Sequence, residues 1–150
     1  MKSDSDVKRV LSDDGLNPNA LEIFHKYENN TAVSLETLRQ ELGMGSWAVR
    51  IAYNSRFGGV IIQQQPGEGN RKHFHPHADE NWVILDGEWE WWIDGQGTKT
   101  VKTNDIVVVP QGILHHIKCV GNSPGVRYAI TQPDVEHVYP ESNDKDEHKI

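Results

Sequence analysis

The sequence predicts an all-β fold, an antiparallel barrel or sandwich preceded by short N-terminal helices. From Trp47 onward the chain breaks into short runs rich in Val, Ile, Trp and Tyr, the composition that suits pleated, half-buried backbone. Between these runs stand EGN, DGQG, TND, PQG and GNSPG, which supply turn chemistry at close intervals. Such connectors leave no room for crossover helices, so neighbouring strands must run antiparallel.

Residues 1–14, MKSDSDVKRVLSDD, are charged and weakly periodic, and are expected to form a flexible tail. A helical extension is expected over 15–45. Within it, Leu16, Ala20, Leu21, Ile23 and Phe24 fall at helical spacing between Leu16 and Glu28, with Asn17 or Asn19 available as a cap. A second helix should follow Ser34, with Leu35, Leu38 and Leu42 on one face and Gly43 or Gly45 ending it. The barrel should occupy 46–135, with strands at 47–53, 59–65, 71–75, 81–87, 88–94, 98–102, 105–110, 115–120 and 126–132. Residues 136–150 read as a polar C-terminal tail. In EWEWWID, Trp89 and Trp91 share one face and Glu88, Glu90 and Trp92 the other, so one tryptophan face must be packed.

At 150 residues the chain suits one domain. Its formal charge of −7 argues against a nucleic-acid surface, which needs clustered Lys and Arg. The single Cys119 excludes an intramolecular disulfide framework, and no N-terminal apolar run resembles a signal peptide or membrane span. The cytoplasm is the expected address.

The stretch HFHPHADE, residues 73–80, holds three histidines and two carboxylates. Alternation along a strand puts His73 and His75 on one face about 7 Å apart, a distance one ion can bridge. A return strand then delivers Glu80 beside them, with Trp82 and Ile84 on the same side. Further along, the turn Pro110-Gln111-Gly112 precedes His115, a fourth candidate ligand. Three neutral nitrogens and one carboxylate suit one divalent transition ion per chain: iron, manganese, nickel, cobalt or zinc. His77 shares the parity of His75, but Pro76 disturbs the alternation. His25, His137 and His148 read as helix or tail residues without a role.

The chain resembles the cupin superfamily. Gly67, His73, His75, Glu80 and Gly87 fit the first cupin motif without a gap, and Pro110, Gly112 and His115 fit the centre of the second. Asn104 stands where that motif opens with glycine, which a turn accepts because Asn tolerates a left-handed backbone, and Cys119 stands where it ends with Asn. The resemblance implies a small antiparallel jelly-roll β-barrel with a metal at its centre, and a homodimer, as small cupins commonly form. The barrel's edge strands and a Trp-rich face would also need cover.

Substrate groups are expected from Gln63, Gln65, Arg71, Trp82 and Arg127, and proton transfer from His77, Tyr53 or Tyr128. The leading expectation is an enzyme whose metal acts as a Lewis acid on a small, polar, anionic metabolite, sugar-derived or carboxylate, by isomerisation, epimerisation or elimination. An iron-dependent dioxygenase is the alternative within catalysis. A non-catalytic module that binds a small molecule is the alternative outside it.

Overall fold

The computed structural model describes residues 16–140, together with Lys8, Leu11 and Ser12 and the backbone of residues 148–149. The expected flexibility of the tails falls largely outside the described residues.

The first helical stretch is shorter than its periodicity predicts: only Leu21–His25 (α1) is α-helical. Neither Asn17 nor Asn19 caps it. The Asn17 carboxamide oxygen instead accepts from the Asn19 backbone N–H at 2.9 Å, closing a local turn around Pro18, and Ala20 stands at the cap position. The second helix, Leu35–Leu42 (α2), follows its signals: Ser34 accepts from the Thr37 N–H, and Gly43 ends the helix at φ 84°.

Nine strands follow: β1 Trp47–Tyr53, β2 Gly58–Gln64, β3 Gly69–His73, β4 Glu80–Asp86, β5 Glu88–Ile93, β6 Gly97–Lys102, β7 Ile106–Val109, β8 His115–Val120 and β9 Gly125–Thr131. They form two antiparallel sheets, ordered β1-β2-β9-β4-β7 and β3-β8-β5-β6. These pack as the two walls of a jelly roll. Gly87, at φ 82°, makes the tight link between β4 and β5, where a Cβ would stand 2.7 Å from Gly125 Cα. Asn104 holds φ 77°, the left-handed backbone its place in the turn requires.

Alternation decides what lies inside. Trp82 and Ile84 of β4, Trp89, Trp91 and Ile93 of β5, and Ile117 and Cys119 of β8 form the apolar interior between the sheets. The Trp89 and Trp91 pair is thus the packed face of EWEWWID, while Trp92 points outward under Lys72. On the opposite side of the larger sheet, α2 seats Leu38 against Trp47, Val49, Ile61 and Val126. The residues expected to form a flexible tail include Leu11, which is buried beside Phe24, Ala48 and Ile62.

The barrel also continues past its expected end at 135. Glu136–His137 (β10) pairs with residues 148–149 (β11), and Val138 exchanges both backbone hydrogen bonds with Phe74. Val135, His137 and Tyr139 are buried along this segment, so the stretch 136–139 is packed structure rather than free tail. Among the described residues, no helix is long and apolar enough to cross a membrane.

Candidate metal centre

Each candidate ligand is aimed by its strand. β3 and β8 pair with His73 opposite His115, after a register shift between Asn70 and His73. The alternation that buries His73 turns Phe74 away and returns His75 to the interior. Glu80 opens β4 on the same inner face as Trp82. One ligand atom from each of His73, His75, Glu80 and His115 lies within 4.8 Å of every other, and all four residues are buried.

The tautomers are set from behind. His73 Nδ1 lies 2.7 Å from the Arg71 carbonyl, His75 Nδ1 2.8 Å from that of Glu136, and His115 Nδ1 3.0 Å from that of Ile113. A carbonyl can only accept, so each Nδ1 carries a proton and, in the neutral ring, each Nε2 presents a lone pair. His75 Nε2 comes within 2.7 Å of Glu80 Oε1 and His115 Nε2 within 3.9 Å. Among the described residues, neither Nε2 has hydrogen-bond geometry to any partner, although both are buried. Crowded lone pairs without donors are what a shared cation relieves, and these four side chains fit a divalent metal.

Burial holds His73 well below the usual imidazole range, reinforced by His115, His137 and His75 around it. Burial likewise pushes His115 down to about 4, against the pull of Glu80. His75 moves the other way: burial opposes its protonation, but the Glu80 carboxylate and the Glu136 carbonyl outweigh it. His73 and His115 are therefore neutral near pH 7, the form in which imidazole binds metal.

A cavity of about 100 Å³ opens beside this cluster. One water needs only roughly 10–15 Å³, so the space is more than a packing defect. Glu80, Asn70, Arg127 and His137 lie at one part of its wall, and Arg50, Tyr53 and Asp134 at another.

A family model described as a cupin domain matches residues 60–140. The chain belongs to the cupin family. This cupin is 37% identical over 67 residues to germin-like protein subfamily 2 member 2 of Arabidopsis thaliana. That stretch is 42% of this chain and 31% of the relative, so the cupin spans under a third of the relative's length. Among solved structures, it is similar to an uncharacterized conserved protein with a double-stranded β-helix domain from Klebsiella pneumoniae. The TM-score is 0.63 and the identity 18%, covering 75% of this chain and 93% of that one. A sugar phosphate isomerase from a cupin superfamily, from Silicibacter pomeroyi, aligns with TM-score 0.57 and 17% identity over 75% of this chain and 74% of its own. At such identities these structures share the fold.

The cupin brings only some of the sequence-named substrate groups to the cavity. Tyr53 lines it, with its hydroxyl donating to the Asp134 carboxylate at 2.8 Å and its ring 3.7 Å under the Arg50 guanidinium. Arg127 lines it too, fully buried, donating to Gln64 Oε1 and Asn70 Oδ1 at 3.0 Å each. Trp82 forms the apolar backing of the centre, its ring centroid 5.4 Å from that of His115.

The others are turned elsewhere. Gln63 lies on the outer face of β2, bonded to Arg39 and to the carbonyls of Gly43 and Gly45. Gln65 donates to the Met44 carbonyl. Tyr128 lies on the outer face of β9, its ring against Gly59. His77 is exposed, and Arg71 stacks on Tyr139 while its carbonyl steers His73.

Sequence reasoning missed Gln64, Asn70, Asp134 and His137. His137 stacks on His73 with centroids 5.1 Å apart and packs edge-on to His75 at 4.6 Å. Its signal was the period-two row Val135, His137, Tyr139 inside a stretch whose composition reads as tail. Cys119 is fully buried, and burial raises its thiol pKa, so it packs as a small hydrophobe.

Proposed function

We propose that this cupin is a metal-dependent enzyme, holding one divalent transition ion on His73, His75, Glu80 and His115. It would act on a small anionic metabolite, sugar-derived or carboxylate, by isomerisation, epimerisation or elimination. The observation that carries this reading is the pair of buried Nε2 atoms on His75 and His115, fixed from behind and facing Glu80 without hydrogen-bond geometry. A bound ion there supplies Lewis-acid polarisation of a substrate oxygen. Arg127 sets positive charge in the same wall, suited to orienting an anion. Tyr53, with its Oη proton held on Asp134, is the sequence-named proton-transfer candidate that reaches the cavity. Phe24 and Leu11 line its apolar side.

The purified protein is expected to carry about one divalent ion per chain by elemental analysis, and His75→Ala to empty the site. Full occupancy in that variant would overturn the ligand assignment. The iron-dependent dioxygenase reading draws support from the apolar wall of Val60, Ile62 and Ala129, which could shelter dioxygen. Turnover after reconstitution with iron, manganese or zinc, in air and without it, separates the two: strict dependence on iron and dioxygen would replace the Lewis-acid reading.

A homodimer belongs to the same proposal. The buried Trp89 and Trp91 need no partner, but β7 ends its sheet and exposes Ile106 and Val108, at 66% and 59%. Light scattering at micromolar concentration should give twice the chain mass; a monomer mass would reject it.

A further inference from the structure

The proposed function leaves the substrate class open between a sugar derivative and a carboxylate, and the cavity wall discriminates between them. Register sets its layout. Trp82 of β4 pairs with Ala129 of β9, Ala129 with Val60 of β2, and Val60 with Arg50 of β1. Glu80 lies two residues before Trp82 on the same face, so the wall runs across four adjacent strands from the candidate metal centre to Arg50. At the usual spacing of strands that is roughly 14 Å.

Chemistry changes along this row. Arg127, opposite Ile62 and Ile84 in register, joins Asn70 and Glu80 in lining the cavity, an anchor for an oxygen-rich, negatively charged head. The middle is Ala129, Val60 and Ile62 with Phe24 opposite, and none of these side chains can donate or accept a hydrogen bond. At the far end Arg50 already contacts Glu28, with both Nε and Nη2 3.2 Å from its Oε2, and stacks on Tyr53. Its charge is answered by the protein itself, so that end does not call for a second anion.

We infer that the ligand of this site is an amphipathic monoanion: a carboxylate head drawn to Arg127 and to the ion that His73, His75, Glu80 and His115 would hold, followed by an apolar body lying along Ala129, Val60 and Ile62. This rests on the metal-centre reading for the head and on the wall alone for the body. A polyhydroxylated chain would press hydroxyls against Val60 and Ile62. Each hydroxyl left without a partner would cost roughly tenfold in affinity. Each methylene buried there would gain about threefold to fourfold.

The test is calorimetric titration of the zinc-loaded protein with acetate, butanoate, hexanoate and gluconate. Affinity should climb about threefold to fourfold per methylene from acetate to hexanoate, and hexanoate should bind at least tenfold tighter than gluconate, which has the same number of carbons. Val60→Thr, nearly isosteric, should cut the advantage of hexanoate over acetate several-fold; Ala129→Leu, which fills the slot, should abolish it. Flat affinity along the series, gluconate equal to hexanoate, or no binding at any length would overturn the inference. His75→Ala reports on the metal centre separately, because it should weaken every carboxylate alike and preserve the chain-length slope. If that variant keeps both its zinc and its affinities, the metal assignment fails while the slope still judges the apolar body.

Discussion

The wall made by β1, β2 and β9 shows one face to the cavity and the other to α2, and alternate residues of the same strands supply both. The inner face carries Arg50, Gln64 and Arg127 among small apolar side chains, while the outer carries Trp47, Gln63 and Tyr128. Both faces bury polar groups, yet they use them differently. Outside, Gln63 ties Arg39 of α2 to the carbonyls after the helix, and Arg39 reaches on to Asp86 at 2.7 Å, so every named bond fastens one element to another. Inside, the amides of Gln64 and Asn70 converge on one guanidinium beside open space. Polar groups that close on the scaffold hold the fold together, whereas under the proposed function those gathered around the cavity orient one charge toward a ligand.

The largest effect that would test this division is on the outer face. Leu38 is wholly buried between α2 and the sheet, so Leu38→Ala should cost about 2–5 kcal/mol of stability. Zinc content below the unfolding transition should stay at the wild-type level. Urea denaturation with elemental analysis reads both quantities, and loss of zinc from folded Leu38→Ala would break the separation of the faces.

The next test uses adjacent residues. Gln63→Ala removes the partner of Arg39 and of two carbonyls, and should lower stability by about 1–3 kcal/mol with carboxylate binding unchanged. Gln64→Ala removes an acceptor from Arg127 and should weaken carboxylate binding, read by the same titrations. Equal effects of the two on binding would erase the distinction.

That pair also marks where the sequence stops being legible. Strand positions and the four candidate ligands follow from alternation and turn residues because β3, β4 and β8 show clear contrast between successive side chains. His73-Phe74-His75 and Glu80-Asn81-Trp82 each have one possible inner face once a metal is supposed. β2 lacks that contrast. Ile61 and Ile62 are both apolar because both faces of the strand are covered, so parity cannot say which of Gln63 and Gln64 faces inward. Arg127 and Tyr128 pose the same ambiguity on β9. His137 was hidden for another reason: the short period-two row around it sits in a stretch of tail-like composition, and its place is fixed by a long-range backbone bridge between Phe74 and Val138.

The smallest expected effect lies under α2 and depends on pH. Tyr27 packs with Leu38 in the outer cluster and donates its hydroxyl to Glu41. Burial, and then the bond to Glu41 and its charge, raise the phenol to about 12 from an ordinary value of 10.0. Above pH 10 the unfolded chain loses this proton while the folded chain keeps it, so the native state binds more protons and stability falls as pH rises. The contribution is complete below pH 10 and disappears toward about 12. Urea midpoints of wild type should therefore drop faster than those of Tyr27→Phe between about pH 9 and pH 11.5, since the variant has no proton to lose at that site. Parallel curves would mean that the phenol titrates alike in both states, and that the outer face does not hold Tyr27 as its geometry implies.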